Sequence, residues 1–133
     1  MTERKSTIRS TGLQIVIPKT FSSLNQYIDA LGKRKGRWNA GAAMKAKDQK
    51  TIRQYLPNVR LHKPVRIDYT FYERDRRRDH DNVSGYFHKI FQDALVEKGI
   101  LPDDGWNWIT GFSDSFYVDK AAPRIQINIT EDV

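Results

Sequence analysis

Residues 65–81 read V-R-I-D-Y-T-F-Y-E-R-D-R-R-R-D-H-D, and this stretch sets the architecture. Val65, Ile67, Tyr69 and Phe71 alternate with Arg66, Asp68 and Thr70, the two-residue period of a strand with one buried face. Glu73–Asp81 then runs for nine residues without an apolar side chain. Beyond it Val83, Phe87, Ile90, Phe91, Ala94 and Leu95 recur at helical spacing, and Gly99 supplies the stop. A half-buried strand, a charged turn and an amphipathic helix are the parts of a sheet with a helix packed on it.

The flanks extend the pattern. Leu13, Ile15 and Ile17 alternate up to Pro18 and predict a strand. Ser22 or Ser23 can cap a short helix through about Ala30, because a serine hydroxyl accepts an orphan backbone N–H. Gly32–Trp38 is a glycine-punctuated basic loop, and Ala40–Leu56 reads as a helix ending before Pro57. Trp108–Val118 is a strand candidate, Asp119–Pro123 a turn, and Ile125, Ile127 and Ile129 a last alternating strand. The expected fold is α+β, one domain over residues 1–133, with helices on a mixed sheet in the order β-α-α-β-α-β-β. The polar residues 1–11 are expected to be flexible. There is no internal repeat, low-complexity tract or linker.

With 133 residues the chain can bury a core without a metal clip or disulfide. The absence of cysteine excludes a disulfide framework, a thiolate zinc site and a thiol nucleophile. No apolar run reaches the ~20 residues of a membrane span, so a soluble, cytoplasmic protein without a membrane partner is expected. Net charge is +7, unevenly spread: residues 1–78 hold 19 Lys/Arg against 6 Asp/Glu, residues 79–133 hold 4 against 10. A basic region beside an acidic cluster suits a polyanion ligand with a cation site, or simply a solvated surface.

Arg76-Arg77-Arg78-Asp79-His80-Asp81-Asn82 carries the candidate chemistry. Asp79 and Asp81, two apart, point the same way only if extended, where they could share a hard cation such as Mg²⁺. The arginines would then hold phosphate. Alternatively Asp79 or Asp81 caps the following helix and the arginines are solvated. Asp103-Asp104-Gly105 is a second acidic point, or only a turn. His62 and His88 read as surface residues, with no zinc-ligand spacing. Trp38 could stack on a base or cover a sheet edge.

R-R-R-D-H-D-N, followed by K-I-F-Q-D-A-L-V-E-K-G-I-L-P-D-D, resembles the RusA family of Holliday junction resolvases, most strongly over residues 74–109. The resemblance implies a homodimeric, Mg²⁺-dependent endonuclease that resolves four-way DNA junctions by paired nicks in recombination and repair. It implies Asp79, Asp81 and Asp104 as metal-holding catalytic acids, Lys89 as the catalytic lysine, and Arg78 on the junction backbone. Arg76, Arg77 and Arg78 would bind DNA, with Lys33, Arg34, Lys35 and Arg37 as an outer basic arm. The family pattern places its lysine four residues after the second acid, where this chain has Gly85; a loop before the helix could absorb the extra residues. Two other readings remain: a branched-DNA-binding module without catalysis, and a nuclease preferring forks or flaps.

Overall fold

The computed structural model describes residues 6–9 and 12–132. In chain order the elements are β1 (Ser6–Arg9), β2 (Gly12–Ile17), α1 (Leu24–Leu31), β3 (Arg34–Lys35), β4 (Trp38–Asn39), α2 (Ala40–Arg53), β5 (Val65–Glu73), α3 (His80–Glu97), β6 (Ile109–Val118) and β7 (Arg124–Glu131). The fold is the expected α+β domain, a mixed five-stranded sheet with three helices packed on it. Strand order is β1-β2-β7-β5-β6, and β3 and β4 form a separate two-stranded ribbon. Among the described residues no helix is long and apolar enough to cross a membrane.

Two features exceed the expectation. Ser6–Arg9, placed in a flexible tail by its polarity, pairs antiparallel with β2; the remainder of that tail lies outside the described residues. The basic loop is partly ordered as the β3–β4 ribbon, turned at Gly36 with φ 61°, a conformation natural to glycine.

The core follows the alternation. Leu13, Ile15 and Ile17 of β2, Val65, Ile67, Tyr69 and Phe71 of β5, and Ile125, Ile127 and Ile129 of β7 are all buried on the helix-covered side. Gly12 faces the Ile129 carbonyl so closely that a Cβ there would collide with it. From above, α3 brings Phe87, Ile90 and Phe91, fully buried. The Phe87 and Phe91 rings meet Tyr69 edge-on at 5.9 and 5.8 Å. Burying each such side chain contributes about 1.5–3 kcal/mol. Burial also pushes the Tyr69 hydroxyl well above the usual tyrosine range, although Gln92 Nε2 donates to its oxygen at 3.2 Å.

Local chemistry sets the helix ends. Ser23 caps α1 in a reciprocal box: its Oγ accepts from the Gln26 N–H at 3.1 Å, and Gln26 Oε1 accepts from the Ser23 N–H at 2.7 Å. Asn39 caps α2 through Ala42 N–H and also donates to the Leu31 carbonyl at 2.7 Å, joining α1 to α2. After α3 the chain reverses at Gly99, φ 80°, with the Ile100 N–H on the Leu95 carbonyl and the Gly99 N–H on Val96, both at 3.0 Å.

Candidate functional site

β5 and β6 are parallel neighbours, with Glu73 opposite Val118, so their carboxyl ends finish side by side. Residues 74–79 and the start of α3 rise there, and in such sheets ligands gather outside the carboxyl ends of the strands. The turn from β6 to β7 crosses the same end of β5, where the Asp119 N–H donates to the Glu73 carbonyl at 2.8 Å. A cavity of about 630 Å³ opens between these segments. Its lining combines the charged residues Glu73, Asp75, Arg76, Arg78 and Asp79 with His80, Val83, Phe116, Tyr117 and Val118. Beside it a second hollow of about 660 Å³ shares Glu73, Asp75 and Arg78 and adds Arg74, Arg77 and Lys120.

The three arginines of the run differ in role. Arg78 is half buried and fully engaged, its Nε and Nη2 donating to the two Glu73 carboxylate oxygens at 2.9 and 3.0 Å. Its Nη1 donates to the Phe21 carbonyl at 2.7 Å. That fork pins the loop to the segment before α1, so Arg78 is a scaffold residue rather than a free phosphate ligand. Arg77 is exposed, with a loose 3.6 Å pair to Asp75. Arg76 is exposed on the cavity wall.

Asp79 holds the N-cap position of α3 with an extended backbone, yet its side chain makes no cap hydrogen bond. The capping alternative fails for this residue, and Asp79 is among the residues lining the cavity. Asp81 is already helical, exposed in the first turn of α3. The extended Asp79–Asp81 geometry expected from the sequence is not formed. Asn82 Oδ1 accepts the Asn25 N–H at 2.9 Å, joining the amino ends of α1 and α3. His80 is exposed and lies flat on Phe116, ring centres 4.0 Å apart and planes 2° apart.

Other expected site residues lie elsewhere. Asp104 sits in the loop before β6, whose first residue, Ile109, pairs with Val65 at the amino end of β5. Nine strand residues, about 26 Å at the usual rise, separate that end from the cleft. Among the described residues no three His, Cys, Asp or Glu side chains converge on a metal-sized site. Lys89 is exposed on an uninterrupted α3, about 12 Å along the axis from Asp81. No loop absorbs the extra residues: Gly85 is helical, and a Cβ there would lie 3.1 Å from Leu24 Cδ2. Arg34 and Lys35 form β3, Lys33 precedes it and Arg37 lies in its turn. The ribbon follows the far end of the eight-residue α1 and lines neither hollow. Trp38 is 56% exposed on that ribbon and covers no core.

Sequence reasoning missed two participants in the site and one contact outside it. Glu73 orients Arg78, and Lys120 reaches the basic hollow only because the β6–β7 turn crosses β5. His88, taken for a surface residue, is half buried, its Nε2 2.7 Å from Asp114 Oδ1 and its ring 4.6 Å from Tyr69. It joins α3 to β6 away from the cleft, and nothing in a 26-residue separation signals that contact.

No protein-family model matches the chain, and no curated protein matches it. Solved structures similar to it include two of the periplasmic domain of Helicobacter pylori MotB. One has 15% identity and a TM-score of 0.39, covering 96% of this chain and 87% of the other. The second has 13% identity and a TM-score of 0.40, covering 98% and 90%. So loose a likeness transfers none of MotB's properties to this chain. No family model or curated relative supports the resemblance to the RusA family, and the fold places Asp104 at the opposite end of β5 from Asp79, so the assignment to that family is withdrawn. The junction-resolving endonuclease, the recombination and repair role, and the homodimer on branched DNA are withdrawn with it.

Proposed function

We propose that this protein is a binding domain for a phosphate-bearing ligand, held together with a divalent cation in the cleft at the carboxyl ends of β5 and β6. Asp79 carries the reading: an N-cap residue whose carboxylate makes no cap hydrogen bond lines a cavity that Arg76 also lines. Mg²⁺ prefers oxygen, keeps several waters, and is bound by one or two carboxylates together with phosphate oxygens. Asp81, helical in the first turn of α3, lines neither hollow; Asp79 is the carboxylate placed to hold the ion. Bound there, the cation would neutralise phosphate charge and fix its orientation. Arg76 would meet the phosphate, with Arg74, Arg77 and Lys120 on the adjoining basic hollow drawing anions in. The N-terminus of α3 adds first-turn N–H groups that no Asp79 side-chain oxygen takes up.

Asp79→Asn tests this by the sign of its effect on pyrophosphate binding, followed by titration calorimetry with and without Mg²⁺. If the carboxylate holds a cation, the substitution weakens Mg²⁺-dependent binding at least tenfold, about 1.4 kcal/mol. If it holds none, removing a negative charge from the cleft tightens pyrophosphate binding, and the proposal fails.

A further inference from the structure

We infer that the ligand of this cleft is a nucleoside phosphate, its planar base stacking on His80; this rests on the phosphate-binding reading above. The observation is a series of near-parallel rings leading out of the core. Phe71, fully buried in β5, stacks on Phe116 of β6 with centres 5.3 Å apart and planes 14° apart. Phe116 is half buried and stacks on His80 at 4.0 Å and 2°. His80 is exposed, and among the described residues no further ring follows it. The series is therefore open at its outer end, and its last two members, Phe116 and His80, both line the cavity.

The lining of the cavity also combines what such a ligand requires: Asp79 and Arg76 suit cation and phosphate, and Val83, Phe116 and Val118 add apolar surface for a base. A volume of about 630 Å³ lies within the range of small-molecule sites and leaves room beyond a pyrophosphate group for a ring. His80 is the first residue of α3 and Asp79 the residue before it, so stacking surface and anionic ligand are adjacent in the chain. A base on His80 would thus place its phosphates at Asp79 and Arg76. Aromatic stacking accepts any base face, so the class is set while the base is not.

The experiment compares Mg²⁺-ADP with Mg²⁺-pyrophosphate by titration calorimetry on the full chain, as wild type, His80→Ala and Phe116→Leu. Wild type is expected to prefer ADP by about tenfold, toward the low end of what one aromatic–base stack contributes. His80→Ala, an exposed substitution, should reduce that preference to about threefold or less with pyrophosphate affinity unchanged, and Phe116→Leu should follow it. Equal wild-type affinity for the two ligands would overturn the inference while leaving phosphate binding intact. A preference for ADP unmoved by His80→Ala would overturn it too. Binding of neither ligand would remove the phosphate reading itself, and this inference with it.

Discussion

Arg78 and Asp79 are sequence neighbours with opposite fates, and the difference is made by what each can reach. The Arg78 guanidinium is filled by Glu73 and the Phe21 carbonyl, whereas the Asp79 carboxylate finds no backbone N–H. Arg78→Ala strands a half-buried Glu73 and releases the segment before α1. It should cost about 2–3 kcal/mol in urea unfolding, the usual loss for charged hydrogen bonds. Arg76→Ala, which touches nothing that holds the fold, should stay within about 0.5 kcal/mol. Equal losses for the two would show that the loop does not sort them this way. The sequence displays three consecutive arginines and no means of choosing among them. The choice is made by Glu73, aligned by the end of β5, and by a carbonyl 57 residues away.

At the scale of elements, the turn between β6 and β7 closes the end of β5 below the cleft. Arg124 donates to Asp119 Oδ2 at 2.7 Å and to the Ala122 carbonyl at 2.9 Å, and lies 3.7 Å from the centre of the Tyr72 ring. The Arg124 hydrogen bond, with help from the Ala122 N–H, holds the Asp119 carboxyl below the usual carboxylate range. A depressed folded-state pKa stabilises above the unfolded value near 3.9 and ceases to as pH falls through the folded one. Wild type should therefore melt above Asp119→Asn near neutral pH, with the gap closing below about pH 4. Parallel melting curves across that range would contradict the assignment. Several element ends were legible because they depend on neighbours in sequence: Ser23 with Gln26, and the reversal at Gly99. Gly85 was not. Glycine's cost in a helix, about 1 kcal/mol, suggests a break there, but Leu24 of α1 packs against the bare backbone and the helix continues.

Across the whole molecule, the parallel pairing of β5 with β6 decides which charged groups can meet. It brings the end of the arginine-rich loop, Asp79, and Phe116–Val118 together, and it sends Asp104 to the opposite end of the sheet. The alternating strands and the helix after Asp81 were readable because burial imposes their periods. The site was only half readable. Residue type announced an acidic and arginine-rich turn, but which acids share a space depends on strand direction, and the aromatic part of the lining comes from a strand about 35 residues downstream. Neither leaves a local mark in the sequence. The most direct test is an amide-resolved NMR titration of the wild-type chain with pyrophosphate, in Mg²⁺ and in EDTA. Shifts gathered at residues 74–83 and 116–120, and requiring Mg²⁺, are the expected result. Shifts gathered on the β3–β4 ribbon, or the same with EDTA as with Mg²⁺, would contradict a cation-assisted phosphate site in the cleft.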